Sequence, residues 1–336
     1  MKIADRRSLP RGGLALPVFG LGCAQAGSLY RPMDDAEAAA LFEGAWEYGV
    51  RLFDTAPFYG YTRSERRVGA ALGKRDRDQF VLSTKVGRLM RPDPTVRPGD
   101  NGWADPLPFR PEFDYTRDGV LRSFDESLER LGLSRIDILY VHDIGPFTHG
   151  DRHAPYWQQL THGGGFRALE ELREGGTVSA IGLGVNEWQI AHTSMQELDL
   201  DCTMLAGRYT LLEQESLSPF LDECVCRGNA IIVAGPFNSG ILAGGDTFNY
   251  ARAPSQVVER VRALDKVCGE FKVPLAAAAL QFPLAHRAVV SCIAGAESAA
   301  QLAQNIAWFE AAIPAEVWHA LGARGLIDER APLPCD

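Results

Sequence analysis

Eight short apolar runs, largely without polar alternation, recur along this chain, and nearly every one is followed by a helical pattern. In order they are GLG (20–22), RLFDTA (51–56), FVLSTKVG (80–87), IDILYVHD (136–143), AIGLGV (180–185), CTMLAGR (202–208), AIIVAGP (230–236) and AVVSCIAGA (288–296). Strands rich in Val, Ile and Leu without alternation are what a sheet covered on both faces requires. In the stretches between them apolar positions return every three or four residues. DDAEAAALFEGAWEYG (34–49) predicts a helix with Asp34 or Asp35 as N-cap and Gly49 at the stop. Thr116 is the natural cap for a helix in TRDGVLRSFDESLERLGL (116–133). Further helices are predicted in 64–73, 166–176, 187–198, 219–229, 255–272, 274–287 and 298–310, with a terminal one in 314–325. LPRGGLALPVFGLG (9–22) reads as a hairpin running into the first strand.

Eight such units predict a closed (β/α)8 TIM barrel, a single domain over residues 1–336. A doubly wound sheet is the alternative, but no GxGxxG follows an early strand, and GLGCAQAGS (20–28) does not match it. Two connections exceed what scaffolding needs. Residues 88–115 and 144–165 are expected as long loops at the C-terminal mouth, after the third and fourth strands. Their aromatics, Trp103, Phe109, Phe113, Tyr115, Phe147, Tyr156 and Trp157, predict a wall covering a substrate.

Composition narrows the partners. A hydrophobic content of 46% beside 23% charged residues is that of a soluble enzyme with a substantial core. The formal net charge of −9, with no offsetting basic cluster, disfavours nucleic acid or an anionic membrane and leaves a small molecule. No apolar stretch approaches the ~20 residues of a membrane span. MKIADRRSLPRGG lacks the apolar core of a secretory signal, and the seven cysteines are odd in number and scattered, so reduced thiols in a cytoplasm are expected.

Candidate chemistry gathers where such barrels keep it, at the C-terminal ends of strands. Asp54, Lys85 and His142 each end an apolar run, and Tyr59 follows the second. A phenol beside an ammonium is a proton-transfer pair, because the cation favours phenolate. Tyrosine titrates near ~10, so work at neutral pH asks for about two to three units of help at ~1.4 kcal/mol each. Taken singly, Asp54 is a turn cap, Tyr59 a packing aromatic and His142 a satisfied core histidine. Lys85 is harder to explain away, since an unpaired buried ammonium is costly. His149, Asp151 and His153 invite a metal reading, but their irregular loop spacing predicts solvated or substrate-facing side chains. Cys23 is expected either to line the pocket or to be an inert buried thiol.

RLFDTAPFYG, STKVG and YVHD, in this order, resemble the aldo-keto reductase superfamily, as do LPVFGLG, YTRSERRVG and the late AGAESAAQLAQN block. FDTAPFYG, FDYTRDGVLRSFDESLERLG and GLGVNEW are similar to the branch that holds D-threo-aldose (L-fucose) 1-dehydrogenases and pyridoxal 4-dehydrogenase. The resemblance implies an NAD(P)-dependent oxidoreductase. In it Tyr59 exchanges a proton with the substrate oxygen, Lys85 tunes Tyr59, Asp54 pairs with Lys85, and His142 donates to that oxygen. The nicotinamide itself carries the redox step.

The same resemblance assigns GAESAAQLAQN to the adenosine end of the cofactor. A basic residue stands in NADPH-preferring members where this chain has Gly295, and an arginine where it has Gln301. Both cations are missing here, and Glu297 suits a ribose 2′-OH while repelling a 2′-phosphate. NAD is therefore expected, with NADP as the alternative. The bland reading of Glu297 is a first-turn helix acid. Gln304 and Asn305 match adenine-contacting positions, and GPFNSGIL places Phe237, Asn238, Ser239 and Gly240 over the pyrophosphate, with backbone N–H groups as an anion nest. At the nicotinamide end the match departs from the family. Asn186 is the candidate carboxamide contact, with Gly184 and Val185 at the aligned positions. Ala206 replaces a glutamine and Ala234 the stacking aromatic, for which Tyr209 is the substitute.

NAD preference favours oxidation, so the expected reaction is dehydrogenation of an aldose at C1 to the lactone. Oxidation of pyridoxal and NADPH-dependent aldehyde reduction are the alternatives. A nicotinamide-binding regulatory subunit on the same fold, or an aldolase with Lys85 as Schiff-base lysine, are the rivals from other classes.

Overall fold

The computed structural model describes residues 1–334; Cys335, one of the seven cysteines, and Asp336 lie outside it. Eight parallel strands close into a barrel. They are β1 (Phe19–Gly22), β2 (Leu52–Asp54), β3 (Val81–Val86), β4 (Ile138–His142), β5 (Ala180–Val185), β6 (Cys202–Ala206), β7 (Ala230–Ala234) and β8 (Val289–Gly295). β8 pairs with β1 through Ile293↔Gly20 and Gly295↔Gly22, which completes the ring. Each strand coincides with one of the apolar runs, and helices cover the outside as the sequence predicts.

Period two along a strand decides which side chains fill the barrel. Leu52, Val81, Ile138 and Tyr140 belong to the interior cluster, while Phe53, Leu82, Leu139 and Val141 pack outward against the helices. Asp54, Lys85 and His142 keep the inward parity, two or four residues beyond those interior anchors. They therefore crown the barrel at its C-terminal end. The floor is sealed by a hairpin, Arg6–Ser8 against Ala15–Pro17, that begins three residues before the stretch expected to form it; Leu9 in its turn and Leu16 in its second strand join the interior cluster. Arg7 staples that hairpin below β8 by donating to the carbonyls of Leu284 (2.8 Å) and Val289 (2.7 Å).

The caps read from the sequence are in place. Asp34 accepts from the Glu37 amide at 2.7 Å while Glu37 accepts from the Asp34 amide at 2.9 Å, a capping box at the start of helix Asp35–Glu47. Thr116 accepts from the Gly119 amide at 3.2 Å at the start of helix Arg117–Leu131. Each such cap contributes about 0.5–2 kcal/mol. The first turn of helix Arg63–Leu72 ties neighbouring elements together. Its buried Glu65 accepts from Thr84 (2.7 Å) and Arg130 (2.5 Å), and Ser64 donates to the Cys23 carbonyl (2.7 Å).

The two long connections differ from the open loops expected. Past Gly87 the chain forms an antiparallel hairpin, Arg88–Pro92 with Phe109–Phe113. Residues 144–165 are largely helical, with Pro146–His149 and His153–Thr161, because burying aromatic faces outweighs the Pro/Gly signals. Phe113, Tyr115, Tyr156 and His149 pack on one another with ring centroids 4.5–6.4 Å apart, and Trp157 stacks edge-on against Phe166. Tyr115 is fully buried in this cluster and is scaffold, not part of the substrate wall expected of it. His149 is buried and bonded to the Tyr115 hydroxyl at 2.9 Å, contrary to its expected solvated role, and burial, then Arg88, push its pKa down to about 4. His153 faces the Ile144 carbonyl at 3.0 Å. Among the described residues no group of three or more potential metal ligands converges, and no helix is long and apolar enough to cross a membrane.

Candidate active site

Lys85 is the hub. Its ammonium donates to Asp54 Oδ2 at 2.7 Å, the Thr55 carbonyl at 3.0 Å and Tyr59 Oη at 3.0 Å. Three donors meet three acceptors, so the tyrosine oxygen accepts and its own O–H stays free to donate outward. Ser83 adds a bond to Asp54 Oδ1 at 2.7 Å. Lys85 and Asp54 are each at most 3% exposed, and a buried pair of this kind holds only when its remaining polar atoms are satisfied. Burial, the largest influence on Lys85, works against its charge, but Asp54 and Tyr59 outweigh it and raise its pKa. Burial likewise raises Asp54 against the pull of Lys85 and Ser83. The three-acceptor geometry fixes the pair as ammonium and carboxylate.

Tyr59 departs from the expectation of a depressed pKa. Burial, the largest influence, raises it; Lys85 lowers it, and Asp54 raises it again, leaving the hydroxyl above its ordinary value. Desolvation of the phenolate outweighs a cation whose charge is already shared with a carboxylate. In the free protein Tyr59 is thus a phenol poised to donate. The turn that presents it is seated by close backbone contact: Gly60 has φ +61°, and a Cβ there would collide with the Gly27 carbonyl oxygen. Gly60→Ala is expected to lower the thermal midpoint, since left-handed backbone alone costs about 1–2 kcal/mol. It is also expected to reduce turnover by displacing the phenol; an unchanged rate would show that the turn tolerates the shift.

His142 sits beside the phenol, its ring centroid 6.0 Å from Tyr59 and 6.2 Å from Phe58. Burial first, then Arg88 and Lys85, hold its pKa well below the imidazole range, so it is a neutral donor of one N–H. Trp103, from the hairpin, packs 5.8 Å from Tyr59 and 5.6 Å from Phe58, and is the predicted wall residue that reaches the site. Cys23 is buried, and burial first, then Asp54, push its pKa upward: it is the inert thiol.

At the rim of β8, the Gln25 amide group occupies the space that a side chain at Gly295 would need. The Gln301 side-chain oxygen accepts from the Glu297 amide (2.6 Å), Asn305 donates to the Gly295 carbonyl (3.1 Å), and Gln304 is exposed. No cation was expected here, yet the fold brings Arg31 from the loop after β1: it pairs with Glu297 at 3.3 Å, donates to the Glu297 carbonyl at 3.1 Å, and also pairs with Glu37. Only the tertiary approach of two distant loops reveals it. Asn238, Ser239 and Gly240 are consecutive left-handed residues. The amides of Asn238 and Gly240 are used within their own turn, and the Asn238 side chain is locked to Thr210 and Gly207.

Gly184 and Val185 lie within β5 and Asn186 follows it; Ala206 and Ala234 end β6 and β7. The Asn186 side-chain amide donates to Asp143 and accepts from Tyr250, each at 3.1 Å. Tyr209 cannot stack at the mouth, because it is buried in the outer layer against Phe282 and His286, each 5.6 Å away. Tyr250, at the tip of the hairpin Thr247–Phe248/Ala251–Arg252, is the aromatic that reaches Asn186 across the mouth.

The phenol and imidazole thus lie at one end of the rim, and the Ser298-capped helix Ala299–Phe309 begins at the other. Comparison with known proteins agrees. The model of the Aldo/keto reductase family matches residues 18–323. A pyridoxal 4-dehydrogenase of Microbacterium luteolum is 50% identical over 97% of this chain and 99% of its own length. A D-threo-aldose 1-dehydrogenase of a Pseudomonas species is 42% identical over 94% of this chain and 96% of its own. Among solved structures, the holo form of an aldo-keto reductase from Bacillus halodurans superposes with a TM-score of 0.72, covering 98% of this chain and 99% of the other at 24% identity.

Proposed function

Because the chain belongs to the aldo/keto reductase family and is an NAD(P)-dependent oxidoreductase, we propose that it oxidises a cyclic hemiacetal to a lactone with NAD. Pyridoxal, whose aldehyde closes onto the neighbouring hydroxymethyl group, is the substrate we place first. An aldose oxidised at C1 offers the same carbon, bearing one hydrogen and one hydroxyl. The similarity to the pyridoxal enzyme, 50% against 42%, supports that order.

One observation carries the reading: Lys85 touches the Tyr59 hydroxyl at 3.0 Å and Asp54 at 2.7 Å within a closed barrel mouth. Tyr59 accepts the substrate hydroxyl proton, Lys85 stabilises the phenolate needed to do so, and Asp54 holds Lys85 in place. His142 donates its N–H to the substrate oxygen and so fixes which face of the carbon is presented. The oxidised nicotinamide, when bound, supplies the hydride acceptor and a positive charge that further favours phenolate. Glu297, Gln301, Gln304 and Asn305 hold the adenosine end, Phe237 to Gly240 lie along the phosphates, and Asn186 receives the carboxamide. NAD remains the cofactor we assign despite Arg31, because Glu297 and Glu37 already balance that cation. Six free cysteines among the described residues, five of them buried, suit a reducing cytoplasm.

Purified protein supplied with pyridoxal, L-fucose or D-arabinose is expected to form reduced nicotinamide from NAD faster than from NADP. Glu297→Gln is expected to lower kcat/KM for NAD on the order of tenfold, the worth of one charge-assisted hydrogen bond, and to improve use of NADP through the released Arg31. Faster turnover with NADP in the unaltered protein contradicts the cofactor assignment.

A further inference from the structure

Beside His142 lies a buried ion pair that the four-residue proton-transfer group does not include. Arg88, the first residue of the hairpin after β3, is 4% exposed and donates to Asp143 Oδ2 at 2.6 Å. Its guanidinium is stacked 4.3 Å over the Phe58 ring, which anchors it independently of the carboxylate. Asp143 follows His142 directly and holds φ +42°, a conformation that costs a non-glycine residue energy and persists only where its surroundings enforce it. Those surroundings are Arg88 on Oδ2, the Asn186 amide on Oδ1 at 3.1 Å, and the His142 ring, whose Nε2 is 3.5 Å from Oδ2. At that distance the contact is electrostatic and not a hydrogen bond. Nδ1 of the same ring is buried with no partner.

We propose that Arg88 and Asp143 are a positioning pair that selects the His142 tautomer carrying its proton on Nε2 and aims it at the substrate oxygen. A carboxylate beside Nε2 stabilises a proton there and leaves Nδ1 as the bare nitrogen. Arg88 limits the same carboxylate in two ways. It fixes Oδ2 so that the oxygen flanks the imidazole without capturing its N–H, and it cancels the charge that otherwise draws a second proton onto the ring. Asp143 also grips Asn186, so one carboxylate ties the imidazole at the end of β4 to the amide at the end of β5. The groups facing His142 are Asp143 on its own segment, Arg88 from the hairpin, Lys85 from β3 and Tyr59 from the turn after β2, while Tyr115 donates to its carbonyl at 2.9 Å. Of these, Asp143 alone brings a negative charge against the ring edge, and Arg88 is its direct counterweight.

This inference rests on the reading of His142 as the donor to substrate, and the test separates the two. Nitrogen-15 NMR of histidine-labelled full-length protein, with His142 assigned by its loss in His142→Gln, reads tautomer and titration directly, without substrate. The unaltered protein is expected to show neutral His142 protonated on Nε2 across the neutral range. Asp143→Asn, which keeps the shape and the acceptor, is expected to give mixed tautomers. Arg88→Met is expected to raise the His142 pKa by about one to three units, the effect of an opposite charge left unmatched at this range. The acid limb of kcat/KM should move up in pH with it, and the double variant should return close to the original limb. Arg88→Lys, which restores the cation, guards against a fold defect in Arg88→Met. An unmoved tautomer in Asp143→Asn together with an unmoved titration in Arg88→Met overturns the pair. Full activity in His142→Gln overturns the donor reading instead, whatever the spectra show.

Discussion

Replacing Tyr59 by phenylalanine is expected to cut kcat for oxidation by about 10²–10⁴, the range contributed by a positioned acid–base group, with little change in nucleotide affinity. The substitution removes one oxygen that accepts from Lys85 at 3.0 Å and leaves a ring still packed on Trp103. Lys85 loses one of three acceptors but keeps Asp54 and the Thr55 carbonyl, so stability should fall by only about 1 kcal/mol. A steep loss of rate in a protein that unfolds at nearly the same temperature is therefore the signature. Nucleotide fluorescence titration separates it from a binding defect.

Lys85→Met is expected to damage both rate and stability. The ammonium is 2% exposed, and its removal leaves the Asp54 carboxylate buried with Ser83 alone as a polar partner at 2.7 Å. Breaking a buried pair on one side costs about 3–5 kcal/mol, because the remaining charge has no compensation. Asp54 is then driven to bind a proton, which burial already favours. The rate falls for a separate reason: in the free protein burial outweighs Lys85 and Tyr59 is held above its ordinary pKa, so without the cation phenolate is further out of reach. The double change Lys85→Met with Asp54→Asn should recover much of the stability and none of the activity. Chemical denaturation and turnover, measured on the unaltered protein and both variants, check this. Recovery of turnover in the double variant would contradict the assignment of Lys85.

Much of this site is legible in the chain because it depends on strands. Apolar runs set the barrel, and period two places Asp54, Lys85 and His142 on the inward face beyond Leu52, Val81 and Tyr140. Local chemistry also marks Asp34 and Thr116 as caps. What is not legible is what distant segments do to one another. Arg88 and Asp143 meet only because the hairpin after β3 folds back over β4, and Arg31 meets Glu297 at a sequence separation of 266. Tyr209 follows β6, yet its chain turns outward into the helical layer, while Tyr250 reaches the mouth from a short hairpin that no apolar run announces. The direction of the Tyr59 shift depends on a balance between burial and a shared cation, and no residue spacing expresses that balance. Residues 144–165 read as loop because Pro and Gly punctuate them; the aromatic packing that makes them helical is tertiary.

Hydride transfer from substrate carbon to nicotinamide is what every assignment here serves. The direct measurement is mass spectrometry of the nucleotide after turnover of NAD with pyridoxal, or an aldose, deuterated at the hemiacetal carbon. Deuterium found in the reduced nicotinamide is the predicted result. Deuterium lost to solvent, or substrate captured on Lys85 by borohydride, would place the chemistry in another class.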